Sequence, residues 1–251
     1  MKRLIRSLGI LPVILLAASA LWAQVRIPGP GGVGQTSAAA PSIVQSKSGF
    51  SNSSTSLTVT FNTNVGTGHM ILAFISGIAT QNGCTINAPT MTGETFTAWS
   101  GAASSVNNDG QAITYFVASA TGGSAAVVMS VTGGGCAGED PHMHIVEIQG
   151  QNVSSPQDGQ GNTRSTTLSV STSGATTGAN DLVIGFFYCN PANRTFTAGA
   201  GYAQVQQTNN STGGDSAFSE SKTVSGTGVQ TATATGNSGS QVHQIIVAVN
   251  P

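Results

Sequence analysis

Thr95-Phe-Thr-Ala98 recurs as Thr195-Phe-Thr-Ala198, and the segments ahead of the two copies also correspond. Before the first copy runs Gly66-Thr-Gly-His-Met-Ile-Leu-Ala-Phe-Ile75. Before the second runs Gly178-Ala-Asn-Asp-Leu-Val-Ile-Gly-Phe-Phe187. Gly66 and Met70 map onto Gly178 and Leu182 at a shift of 112 residues, whereas the tetrapeptides map at a shift of 100. A strand pattern that recurs at this spacing points to one duplicated β architecture. The 12-residue difference places an insertion in the first half, within Gly77–Glu94, around Cys84 and Met91. Two readings of that longer loop stand side by side: a binding loop, or a tolerated surface insertion.

Outward from the repeat, short strand patterns bounded by Gly, Asn, Ser and Thr fill the chain from Ser48 onward. In the first half the expected strands are Leu57–Asn62, His69–Ser76, Phe96–Ser100, Ala112–Ala118, Ala125–Val131 and His142–Gln149. In the second they are Thr167–Ser171, Asp181–Tyr188, Tyr202–Gln207, Ser216–Val224, Val229–Thr235 and Gln241–Asn250. Leu57-Thr-Val-Thr-Phe61 alternates as a half-buried antiparallel strand does. Met70–Ile75 and Leu182–Tyr188 are apolar on both parities, which predicts central strands covered on both faces. No sustained 3.6-residue period argues for helix. The expected fold is all-β: an antiparallel two-sheet sandwich of about twelve strands, from two six-strand halves at 47–150 and 151–251.

The residues ahead of that domain read differently. Lys2, Arg3 and Arg6 precede the short apolar run Leu8–Leu16 and the small residues Ala18, Ala20 and Ala23, the pattern of a secretory signal peptide over residues 1–23. Residues 24–46, with Pro28-Gly-Pro-Gly-Gly and Ala38-Ala-Ala-Pro41, read as a flexible linker or arm. Beyond the signal no apolar stretch is long enough to span a membrane, so a secreted or cell-surface location is expected. Without residues 1–23, five Lys and Arg remain against nine Asp and Glu, a formal charge of −4. That balance argues against a nucleic-acid partner. Export to an oxidising compartment predicts one disulfide from Cys84, Cys136 and Cys189. The two Gly-rich loops of the first half favour Cys84 with Cys136.

Asn180-Asp-Leu-Val-Ile-Gly-Phe186 and Phe196-Thr-Ala-Gly-Ala-Gly-Tyr202 resemble segments of the secreted β-sandwich surface modules of bacteria, which have no assigned activity. Over Ser48–Pro251 the resemblance implies a jelly-roll-like or immunoglobulin-like fold, and it carries over no catalytic residue.

Several local patterns are candidates for chemistry. His142 and His144, two apart on a strand, share a face and could bind a metal with Asp140, next to Glu139; His243 is a candidate third imidazole. The bland alternative is a strand cap and a structural hydrogen bond. Structural calcium is an open reading for Asn107-Asn-Asp109-Gly, Glu139-Asp140 and Asp158-Gly-Gln-Gly-Asn162, which also suit ordinary turns. Trp99, Tyr188 and Tyr202 are candidates for stacking on a sugar, or else for sealing the core's rim. Gly214-Asp215-Ser216-Ala217 resembles the trypsin-like Gly-Asp-Ser-Gly, but the second glycine is missing and no Ala-His-Cys supplies a base. The expected function is a non-catalytic extracellular binding or adhesion module for a polysaccharide or cell-surface protein. The alternatives are a self-associating structural surface protein and, behind it, a trypsin-like hydrolase.

Overall fold

The computed structural model describes residues 38–77, 83–105, 110–136, 139–190, 194–212, 214–236 and 242–251. The signal peptide, residues 24–37 of the expected arm, the Asn107–Asp109 turn and part of the inserted loop lie outside them. In the first half the strands are β1 (Ser42–Phe50), β2 (Ser56–Thr60), β3 (Met70–Ser76), β4 (Thr85–Ile86), β5 (Thr90–Met91), β6 (Glu94–Thr95), β7 (Thr97–Ser105), β8 (Gln111–Val117), β9 (Ala126–Thr132) and β10 (His142–Gln149). The second half has β11 (Gln157–Ser165), β12 (Ser169–Ser171), β13 (Leu182–Cys189), β14 (Phe196–Ala198), β15 (Ala203–Asn210), β16 (Asp215–Thr223), β17 (Thr231–Gly236) and β18 (Val242–Val249).

These strands form four antiparallel sheets rather than two, none of them closed. Each half has a large sheet, ordered β1-β10-β3-β8-β7 in the first and β11-β18-β13-β16-β15 in the second. Each large sheet is faced by a smaller one: β2-β9-β5-β6, with β4 on β9, and β12-β17-β14. The expected two-sheet sandwich is therefore corrected to a sandwich-like stack, and the arrangement is not specifically a jelly roll.

The reason lies in the parity of the central strands. Ile71, Ala73 and Ile75 of β3 pack with Leu57, Val59, Val127 and Met129 of the smaller first sheet. Met70, Leu72 and Phe74, on the opposite face, pack instead with Leu182, Ile184 and Phe186 of β13. Val183 and Phe187 of β13 face the smaller second sheet through Val170 and Ala232. A strand apolar on both faces needs cover on both, and here each half's large sheet covers the other's. Complete burial of an aliphatic or aromatic side chain contributes about 1.5–3 kcal/mol, so this shared middle layer is a main source of cohesion.

The halves are related by an approximate two-fold. Ala73 pairs with Ile145 and Gly185 with Ile246, so β10 maps onto β18 at a shift of 101. Phe74 and Phe186, equivalent at the 112-residue shift, stack on each other with ring centroids 5.2 Å apart and an interplanar angle of 12°. Contact between a residue and its own equivalent is what a two-fold arrangement imposes. At the borders, Gln206 on β15 donates to the carbonyl oxygen of Ser46 on β1 at 3.1 Å, and Asn162 on β11 donates to the carbonyl oxygen of Gly101 on β7 at 2.9 Å.

The boundary drawn at Ser46 also shifts. Residues 42–46 belong to β1 and pair with Gln149–Val146 of β10. Cys84 of the inserted loop and Cys136, after β9, form the expected disulfide, with Cα atoms 5.6 Å apart. Cys189 lies fully buried on β13. Both Phe96 and Phe196 of the repeated tetrapeptide are buried, one in each outer core.

Candidate functional site

Polar side chains gather where the two large sheets face each other, at the end marked by His142, Cys189, Asp215 and Val242. His142 Nδ1 lies 2.7 Å from Thr208 Oγ1, across the interface on β15. His243 Nδ1 lies 3.1 Å from Ser104 Oγ, across the interface on β7. The two contacts are equivalents: His142 maps onto His243 at the shift of 101, and Ser104 and Thr208 hold matching positions opposite Ala112 and Ala217. Each half thus places one imidazole against a hydroxyl of the other.

His144 adds a contact without a counterpart, since Ile245 occupies the matching position. Its Nδ1 is 3.0 Å from Ser219 Oγ and its Nε2 is 3.2 Å from Thr208 Oγ1. Tyr188 lies between the two equivalent histidines, with ring centroids 5.7 Å from His142 and 6.2 Å from His243. Its hydroxyl donates to Asp215 Oδ2 at 3.3 Å.

Desolvation governs the protonation of this seam. Burial lowers His142 to about 4. Burial, and then the neighbouring His142, lower His144 to about 3. Burial and the Arg164 charge lower His243 to about 4. Asp215 is pushed up to about 7, first by burial and then by the Asp140 and Glu139 charges, against the Tyr188 hydrogen bond. At neutral pH the imidazoles are neutral, so each can serve as donor and acceptor to the hydroxyls.

The expected metal ligands are only partly brought together. His142 and His144 do share a face and are fully buried, but hydroxyls engage them. Asp140 Oδ1 accepts the Ser53 amide at 2.9 Å. Among the described residues no three His, Cys, Asp or Glu side chains are grouped to hold a metal ion. Ser216 is buried, its Oγ accepting the Arg194 amide at 2.8 Å. His69 sits at the opposite end of the stack, 2.6 Å from Glu147.

The aromatic candidates separate by depth. Trp99 and Tyr188 are each 1% exposed, so neither presents a ring face to solvent, as sugar stacking requires. Tyr202 is half-buried and lines a surface groove with Ser42, Leu182, Ser221, Lys222 and Thr223. Its hydroxyl donates to the Thr231 carbonyl at 2.8 Å, and the Lys222 ammonium lies 4.6 Å from its ring centroid. An equivalent groove in the first half is lined by Thr97, Phe116, Ser154 and Pro156. Phe116 stands there in the place of Ser221.

Sequence reasoning did not pick out Thr208, Ser219, Ser104 or Lys222. Hydroxyls are abundant throughout the chain, so no local signal separates these; matching His142 with His243 was the one clue to the seam.

No family model matches the sequence, and no characterised protein or solved structure matches it. Fold and interior define an all-β protein of several antiparallel sheets, built from two similar halves.

Proposed function

We propose that this chain is an exported, non-catalytic binding module that takes a glycan or cell-surface ligand in the Tyr202 groove. The observation that carries the reading is the groove's furnishing: a half-buried tyrosine, an ammonium and several hydroxyls on one open surface. A rigid amphipathic ring with hydroxyl and cationic partners suits a hydroxylated, acidic saccharide. The equivalent groove carries Phe116 and no lysine, so the ligand belongs to the second half's groove. A glycan array probed with the secreted chain tests this. Binding should fall at least about tenfold in Tyr202→Ala and in Lys222→Ala, the loss of roughly 1.4 kcal/mol. Absence of binding to every glycan, or binding unchanged in both variants, would count against it.

Self-association is a second reading, supported by β1. This edge strand exposes Val44 at 45% and Phe50 at 39%, and an apolar edge invites pairing with another chain. Light scattering with Val44→Lys, and with residues 24–41 removed, separates the two readings. We further infer kinship of each half with the jelly roll, supported by the order β11-β18-β13-β16 facing β12-β17-β14.

A further inference from the structure

The turn that leads into the central strand of each half is built on a carboxylate, and the halves partner it differently. In the first half, Glu147 Oε1 accepts the Gly66 amide at 2.8 Å and lies 2.6 Å from His69 Nδ1. In the second half, Gly178 and Asp181 stand where Gly66 and His69 stand, 112 residues on. The carboxylate there is Asp158, which accepts the Gly178 amide at 2.5 Å and the Thr177 amide and hydroxyl at 2.9 and 2.6 Å.

A second carboxylate thus replaces the imidazole. Asp181 is fully buried, and neither of its oxygens is reached by a donor at hydrogen-bonding distance and angle. A third acceptor joins them. A Cβ placed on Gly178 would lie 2.7 Å from Asp181 Oδ1, 2.8 Å from Asn250 Oδ1 and 3.1 Å from Asp158 Oδ2. Asn250 turns its amide nitrogen away, toward the Ser155 carbonyl at 3.4 Å. Three side-chain oxygens therefore converge beside a residue without a side chain.

We propose that Asp158, Asp181 and Asn250 hold a divalent cation of the calcium class, with water completing the shell. The donors are all oxygen, with no imidazole or thiolate, which suits calcium rather than zinc. Asp158 and Asn250 are partly exposed, so the ion can enter from solvent. The cation takes, beside the turn carboxylate of the second half, the place that the His69 ring takes in the first.

The test is thermal unfolding and calorimetric titration of the chelator-stripped secreted chain at pH 7.5. Calcium at ten times its dissociation constant should raise the melting temperature by about 3–6 °C, with heats fitting one site. Asp181→Asn should abolish both, while Glu147→Gln should leave the calcium increment unchanged. If Asp181→Asn does not fold, Asn250→Ala carries the same expectation. No shift at about 10 mM calcium, well above the millimolar affinity of weak extracellular sites, overturns the proposal. So does an Asp181→Asn variant that melts above the parent while the parent ignores calcium; the carboxyl pair then shares a proton.

Discussion

His142, His144 and His243 exchange hydrogen bonds with hydroxyls inside an apolar layer, and the price is set by protonation. Unfolded, each titrates near 6.5; folded, burial holds them at about 4, 3 and 4. The unfolded chain therefore binds more protons below pH 6.5, so the histidines destabilise the fold as pH falls from 6.5 toward 4. Asp215 and Glu220 act in the opposite sense. Both are raised to about 7, chiefly by burial, so their contribution is complete below about pH 4 and is lost as pH rises through 7. Asp215→Asn should match the parent near pH 4 and exceed it at pH 8 by on the order of 2–3 kcal/mol, read by urea unfolding at both values. A difference independent of pH would show that Asp215 is ionised in the folded protein. The composition gives no warning of this chemistry, because Asp215 and Glu220 look like ordinary surface charges until a second sheet covers them.

At the scale of elements, the twelve strands expected from alternation and apolar runs are all present, with ends displaced by a few residues. Those that escaped are instructive. β1 and β11 are equivalents, each an edge of its large sheet, and Gln157-Asp-Gly-Gln-Gly-Asn-Thr-Arg-Ser165 contains no apolar side chain. Such a strand is held by its backbone ladder to β18, which leaves no period for sequence reasoning to detect. Strands β4, β5 and β6 are two residues long and belong to the first half's insertion. The disulfide ties that insertion to the loop after β9, closing a chain separation of 52 residues. Replacing Cys84 and Cys136 by Ser should cost about 2–4 kcal/mol, from the unfolded chain's regained freedom. Denaturant midpoints of parent and double variant measure it, and equal midpoints would mean that β4 and β5 are held without the bridge.

For the whole molecule, duplication and burial of both faces of the central strands were legible in Met70–Ile75 and Leu182–Tyr188. What covers the second face was not. Apolar parity says that a layer is needed, but another small sheet or the partner half would satisfy it equally. The same gap put Trp99 and Tyr188 at the rim instead of inside the middle layer, leaving Tyr202 as the reachable one of the three candidates. Because Phe74, Phe186 and their neighbours form one core shared by both halves, the two halves are expected to unfold together. Differential scanning calorimetry of the parent and of Phe74→Ala tests this most directly. The account predicts one transition, with calorimetric and van't Hoff enthalpies equal, and a variant in which that single transition moves down by the equivalent of about 3–5 kcal/mol. Two separable transitions, of which Phe74→Ala shifts only one, would contradict it.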